Sequence, residues 1–375
     1  MKNIILITVD CLRPDHLNCY GYDRLTSPYI SELAGQGLLF TNMYANSSYT
    51  CASLASLITS TYPFDYSEYF EFSTPAILST KRTLLSEVLQ KHGFANGFFH
   101  DNPYLSPIFG YDRGFATIRD FGARKEETLI ERSIIRRAFA DRNRNIRKFL
   151  SMVNRFWLFY RKWYKNNRAL NTDAEMILKT ACEWVEHVKA PFFVWCHLMD
   201  AHTPYSPQHQ ALDSIGFSKK KAFLLIYKHW GMKLPLKTSE LHSFKKLYDL
   251  QIRAIDNALK KYLPTLASEN FDETYVLITA DHGEEFMENG IIGHVRPLGK
   301  LLLHVPLIIY GGGVEHRVEN MRASLIDLAP TIMDLVGLEK FKGFKGRSLL
   351  KLDKDRAVIA QGIFQEKRLQ RVVSE

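Results

Sequence analysis

The run Asn3-Ile4-Ile5-Leu6-Ile7-Thr8-Val9 constrains the fold more than any other part of the chain. It is short, rich in β-branched residues and apolar at successive positions, the pattern of a strand buried on both faces. Such a strand needs a helical layer on each side, so it points to an α/β fold with a mainly parallel sheet. Asp10 follows at once, at the C-terminal end of the strand, where open α/β sheets place their ligands. Similar runs recur at Phe40 to Tyr44, Phe94 to Phe99, Pro191 to His197, Tyr275 to Ala280 and Val305 to Tyr310. Helical spacing or helix starts lie between them: Ser27-Pro28 through Leu33, a helix opened by Thr50, Leu84 to Lys91, Asp173 to His187, Tyr248 to Leu263 and Leu325 to Val336. No internal repeat and no low-complexity tract interrupts this alternation.

A chain of 375 residues with 46% hydrophobic side chains can fill one large α/β domain. Residues 1–375 are read as a single catalytic domain with a basic aromatic helical insertion at 120–172 and a small C-terminal portion at 313–375. The formal net charge of +9 is unevenly spread. Residues 132–168 carry twelve Lys/Arg and one Asp, a local net of +11, which leaves about −2 for the rest. Trp157, Trp163, Tyr160 and Tyr164 are interleaved with these cations. That mix suits a solvated helical surface, an anionic membrane surface, or an electropositive approach for an anionic substrate. No nucleic-acid reader motif is present, so nucleic acid is an unfavoured partner. Phe217 to Leu236 is a second basic, aromatic insertion candidate.

The five cysteines (Cys11, Cys19, Cys51, Cys182, Cys196) are odd in number and show no CxxC pairing. Several lie in apolar contexts, as expected for reduced thiols in a cytosolic protein. The apolar start is short and runs into Asp10, so it reads as a core strand and not as a secretory leader. No uninterrupted apolar stretch approaches the ~20 residues of a spanning helix. The expected location is cytoplasmic, with peripheral membrane contact through residues 132–168 as the variant.

Four ordered blocks carry the chemistry. They are Asp10-Cys11-Leu12-Arg13-Pro14-Asp15-His16 with Cys19-Tyr20-Gly21; Thr50 to Pro63; His197-Leu198-Met199-Asp200-Ala201-His202-Thr203-Pro204-Tyr205; and Thr279-Ala280-Asp281-His282-Gly283-Glu284, followed by Gly293-His294. In this order they resemble the sulfatase family of the alkaline phosphatase superfamily. The second block is similar to the family's C/S-x-P-S-R-A-S-L-L-T-G-x-Y-P, which puts Thr50 at the nucleophile position and Cys51 one residue past it. The closing segments Ser324 to Thr331 and Gly346 to Leu349 also resemble the family's.

The resemblance implies an alkaline-phosphatase/sulfatase-like fold: a central, mostly parallel sheet with helices on both faces. It implies one or two divalent metal ions. Asp10, Asp281 and His282 are metal ligands in this reading, with Thr50 completing the set and serving as nucleophile. Carboxylate and imidazole together suit Zn²⁺ or Mn²⁺ better than Ca²⁺ or Mg²⁺. Asp200, His202 and His294 would hold a second metal; in a one-metal version His202 and His294 bind the ester oxygens or protonate the leaving group. His197 and Asn102 are candidate substrate-binding residues. Thr50 is also a favoured helix-cap residue, which is its structural reading.

Departures from the pattern bear on the substrate. Formylglycine, the sulfatase nucleophile, forms only from Cys or Ser. A Thr attacks instead as a metal-activated hydroxyl, which favours phosphate over sulfate esters. Leu54 replaces the Arg after the nucleophile, Cys11 stands where a second acidic ligand is usual, and His100-Asp101-Asn102-Pro103 replaces G-K-W-H-L-G. The expected activity is hydrolysis of a small-molecule or glycan- or lipid-linked anionic ester, favouring phosphoester or phosphodiester cleavage or head-group transfer. The alternatives are a sulfuric ester hydrolase without formylglycine, and an inactive membrane- or polyanion-binding module.

Overall fold

A computed structural model of the chain describes residues 1–66, 68, 76–122, 144–165, 173–294, 298–351, 355–364 and 367–373. The strands, in chain order, are β1 (Asn3–Val9), β2 (Leu38–Tyr44), β3 (Ala95–His100), β4 (Thr117–Asp120), β5 (Phe192–Leu198), β6 (Thr274–Ala280), β7 (Glu285–Phe286), β8 (Ile292–Gly293), β9 (His304–Gly311), β10 (Arg317–Glu319), β11 (Ala323–Ser324), β12 (Val358–Phe364) and β13 (Lys367–Val373). Nine of them form one sheet in the order β10-β2-β9-β6-β1-β5-β3-β4, with β11 also paired to β2.

All pairings in this sheet are parallel except those of β9, which runs against both β2 and β6. Every residue of β1, β5 and β6 is buried, so the sheet's centre is covered on both faces. Helices Pro28–Ala34, Ala174–Val185 and Thr238–Leu266 pack together and against β3, β5 and β9. Helices Thr50–Thr59, Leu85–Lys91 and Leu328–Leu335 form another packed group. The apolar runs thus lie where the sequence places them, with ends shifted by a few residues. The helix expected from Tyr248 begins earlier, at Thr238.

The register sets up the site. β1 pairs with β6 through Val9 and Ala280, and with β5 through Val9 and Leu198. Asp10 and Asp281 therefore follow directly on the ends of two hydrogen-bonded neighbours. Parallel strands with their C-terminal ends side by side bring these carboxylates together without any loop having to do so.

The described part of the basic insertion is helix Arg144–Phe159, which continues as a π-helical turn, Tyr160–Lys165. Thr117–Asp120 belongs to the sheet, at its edge beside β3. Residues 123–143 and 166–172 lie outside the described residues. The second basic segment forms helix Lys219–Ile226 and a π-helical turn, Tyr227–Gly231. The two expected insertions meet. Phe223 stacks on Phe159 at 5.0 Å between ring centroids and meets Phe156 edge-on at 5.7 Å. Buried Trp163 donates from Nε1 to the Pro207 carbonyl. The C-terminal portion divides: β10 and β11 join the main sheet, and β12 and β13 make a separate antiparallel hairpin. No helix among the described residues is long and apolar enough to cross a membrane.

Candidate metal-assisted active site

The helix Thr50–Thr59 is buried at every position except Thr50. Small residues at Ala52, Ser53, Ala55 and Ser56 let it sit inside the molecule, and Leu54 is wholly buried where the sulfatase pattern has Arg. Ser53 Oγ donates to the Asp281 carbonyl at 2.5 Å, pinning the first turn to the end of β6. The helix N-terminus, with its free N–H groups, is the end that Thr50 occupies. Thr50 Oγ1 lies 3.4 Å from Asp10 Oδ2 and 3.3 Å from His282 Nε2. Cys51 is the next residue of the helix. Its carbonyl accepts from Tyr111 Oη at 2.6 Å, and burial pushes its thiol up to about 12.

Asp10 and Asp281 are completely buried. His282 is held by its own neighbourhood: its N–H donates to Asp281 Oδ1 at 2.8 Å, and its Nδ1 lies 2.9 Å from the Gly283 carbonyl. Nδ1 as donor there leaves Nε2 free to accept. Gly283 is required because an added Cβ would meet the Leu301 carbonyl oxygen at 2.0 Å. Burial, then the facing Asp10, raise the pKa of Asp281. Burial opposes charge on Asp10 too, but His202, His197 and His282 outweigh it and hold this carboxyl well below its ordinary value.

The structure brings His202 and His294 to the same place. Their ring centroids are 5.4 Å apart, and His294 is 4.6 Å from His282. His294 Nδ1 pairs with buried Glu284 Oε1 at 3.2 Å. Burial works against a charged His294, yet Glu284 prevails and raises its pKa to about 9. His197 is wholly buried behind the carboxylates, not at an open mouth. Its Nδ1 meets Thr8 Oγ1 at 2.9 Å and its Nε2 stands 3.4 Å from Asp10 Oδ2. Asn102 Nδ2 donates to Asp10 Oδ2 at 3.3 Å, while its Oδ1 caps the Pro103–Leu105 turn.

Asp200 is not brought into this cluster. Its Oδ1 accepts from the Ala174 N–H at 3.2 Å, at the start of helix Ala174–Val185, and its carbonyl accepts from Gln251. The spacing D-x-H suggests a shared site, but adjacent loop residues point apart, and only His202 faces Asp10. Two residues given no chemical role from sequence stand in the cluster. Cys11 Sγ donates to Asp10 Oδ1 at 3.0 Å, and Glu284 supports His294. Both flank motif residues, Asp10 and Gly283, and that adjacency was the signal available.

Three groups of side chains among the described residues have ligand atoms within 4.8 Å of one another: Cys11, His282 and His294; Asp10, Cys11 and His202; and Asp10, His197 and Asp281. Asp281 Oδ2 and His197 Nε2 are buried with no hydrogen-bond partner. Two adjoining buried carboxylates with unsatisfied ligand atoms beside them fit a divalent cation, which offsets both their repulsion and their lost hydration.

A family profile described as Sulfatase matches residues 2–338. An N-acetylgalactosamine-6-O-sulfatase of Bacteroides thetaiotaomicron is 35% identical over 97 residues, 25% of this chain and 19% of that protein. Arylsulfatase K of Homo sapiens is 24% identical over 94% of this chain and 66% of its own length. The chain thus spans less than two thirds of either relative. Among solved structures, a phosphonate monoester hydrolase of Agrobacterium radiobacter aligns with a TM-score of 0.71 at 18% identity, covering 97% of this chain and 81% of that one. The protein BT4656, solved with its substrate D-glucosamine-2-N,6-O-disulfate, aligns with a TM-score of 0.73 at 16% identity, covering 100% and 87%. These two likenesses establish a shared fold. With the profile spanning most of the chain, the protein belongs to the sulfatase family.

Proposed function

We propose that this protein is a divalent-metal-dependent hydrolase of anionic esters that uses Thr50 as its nucleophile and favours phosphoesters or phosphodiesters. The observation that carries the reading is the position of Thr50 Oγ1 at a helix N-terminus, 3.3 and 3.4 Å from His282 and Asp10. Asp10, Asp281 and His282 would hold the cation. When bound, it would neutralise charge on the ester and lower the pKa of a nearby hydroxyl.

The chain's own groups do the rest. Asp10 Oδ2, 3.4 Å from Oγ1, takes its proton as it attacks, and His282 Nε2 is left to the cation. The bond from Oγ1 to phosphorus forms while the bond to the leaving oxygen breaks, giving a covalent phospho-threonine. The leaving oxygen takes its proton from His294, which Glu284 keeps charged, or from His202. Backbone N–H groups at the first turn of the Thr50 helix face the non-bridging oxygens. Water then hydrolyses the phospho-threonine, and a glycan or lipid hydroxyl in its place would make the reaction a head-group transfer.

The second reading is hydrolysis of sulfate esters without formylglycine, which the sulfatase relatives favour. Nitrophenyl phosphate, its diesters and nitrophenyl sulfate, assayed side by side with Zn²⁺, Mn²⁺ or Ca²⁺, separate the two. Turnover of phosphate esters, with phosphate trapped on Thr50 and loss of at least about 10³-fold in Thr50→Ala, is the expected result. Activity confined to the sulfate ester, or undiminished in Thr50→Ala, would overturn it.

The basic segments support an anionic surface as the setting of the substrate. Residues 144–165 and 217–237 contain thirteen Lys/Arg and no Asp/Glu, and Trp157 within the first is 60% exposed. Salt-sensitive binding to anionic vesicles, absent with neutral ones, is the expected behaviour.

A further inference from the structure

We propose that the Cys11 sulfur is itself a ligand of the cation, and that it makes the site select zinc over manganese, magnesium or calcium. The proposal rests on the reading that this site holds a divalent ion. Cys11 belongs to two of the three ligand groups, one on the imidazole side and one on the carboxylate side. Its Sγ lies 3.0 Å from Asp10 Oδ1, 3.5 Å from His294 Nδ1 and 3.9 Å from the His282 ring at Nδ1, which donates to the Gly283 carbonyl and leaves Nε2 for the ion. Cys11 links the imidazole group to Asp10, and Asp10 in turn links it to Asp281.

This is not how a cysteine sits when it merely fills a core. Cys196, in the middle of β5, is wholly buried in an apolar strand. Cys11 is equally buried but faces carboxylates and imidazoles, which no packing argument favours. Its backbone is held in the left-handed region, at φ 61°, which costs roughly 1–2 kcal/mol for a residue with a Cβ. Two hydrogen bonds keep it there. The Cys11 N–H donates to Asp281 Oδ1 at 3.2 Å, and Tyr248 Oη donates to the Cys11 carbonyl at 2.8 Å. The same Tyr248 hydroxyl accepts from the Arg13 N–H at 2.9 Å, so the turn is fixed on both sides. Strain maintained by this much surrounding structure is the mark of a functional position. Independently, buried Asp281 Oδ2 has no hydrogen-bond partner and fits a cation as its neighbour.

On coordination the S–H proton, now directed at Asp10, passes to solvent as the sulfur–metal bond forms. A soft thiolate among imidazole and carboxylate favours zinc, and an all-oxygen set favours manganese, magnesium or calcium. The sulfur would therefore decide which ion fills the site.

The test uses the full chain, stripped of metal and reloaded with Co²⁺, with bound cobalt counted by elemental analysis. The wild type and Cys51→Ser should show a near-ultraviolet sulfur-to-cobalt charge-transfer band. Cys11→Ser should bind cobalt without the band. Cys11→Asp, a residue type that tolerates the left-handed backbone, should narrow the preference for zinc over manganese by roughly tenfold or more. Cobalt bound to the wild type without the band, or a band that persists in Cys11→Ser, would overturn the proposal and leave the metal reading intact. A wild-type chain that binds no divalent ion would overturn both. Should Cys11→Ser fail to fold, Cys11→Ala and Cys11→Asp take its place: bound cobalt without the band supports ligation, and a band that persists refutes it.

Discussion

Glu284 Oε1 stands 3.2 Å from His294 Nδ1, and both side chains are largely shut off from water. The pair orients the imidazole toward His282 and His202, and Tyr205 Oη adds a further donor to Glu284 at 3.3 Å. A carboxylate placed behind a histidine in this way sets its tautomer and its basicity. Glu284→Gln preserves shape but removes the charge. Metal affinity or turnover should fall by roughly 10- to 100-fold with little change in melting temperature. Metal titration followed by calorimetry checks it; wild-type affinity and turnover in the variant would refute a supporting role.

Gly283 has no room for a side chain. In Gly283→Ala the new methyl would collide with the Leu301 backbone. The strand end and His282 must shift, at about 1–3 kcal/mol. A lower urea midpoint at unchanged slope, together with weaker metal retention, is the expected pair of results. Stability equal to wild type would contradict the packing.

Arg13 ties the first loop to the Glu288 turn. Burial works against the Glu288 charge, but Arg13 at 2.8 Å outweighs it and lowers the carboxyl to about 2. A depressed carboxylate stabilises the fold above its unfolded value of about 4.3, and that contribution is lost as pH falls toward 2. Glu288→Gln should therefore be less stable than wild type at neutral pH by up to about 1 kcal/mol, since the pair is partly exposed. The two stability curves should converge below about pH 3. Parallel curves across that window would show that the ion pair does not act.

Phe223 is the aromatic centre that joins the two basic segments. It meets Phe156, Phe159, Tyr160, Tyr164 and Tyr227. Phe223→Ala should cost about 3 kcal/mol locally. Proteolysis within 144–165 should accelerate while metal binding at Asp10 and Asp281 is retained. Simultaneous loss of metal would mean that the segments are not a separable layer.

Most of the sheet was legible because its central strands are apolar on both faces, a pattern that solvated segments do not share. β4 was missed because Thr117–Asp120 is short and partly exposed, and the β12–β13 hairpin because Lys367–Val373 is mostly exposed and charged. The reversed direction of β9 leaves no trace in composition, since a buried strand reads alike both ways. In the site, Asp10, Asp281 and His282 were legible as strand-end residues, and Thr50 as a helix start. The distinction between Asp200 and His202 was not, because two residues in one loop diverge by backbone geometry alone. The sulfur of Cys11 was passed over for a comparable reason: its contacts with Asp10 and His294 go with a left-handed backbone that a sequence does not announce.

The neighbouring placement of β1 and β6 gives the candidate centre a mechanical character. An ion gripped by Asp10 and Asp281 would clasp two adjacent strands at their shared end, in the middle of the sheet. Anything that binds the native chain alone draws the folding equilibrium toward it. Occupancy would thus reinforce the whole scaffold from its centre, and a chelator would loosen far more than the pocket it empties.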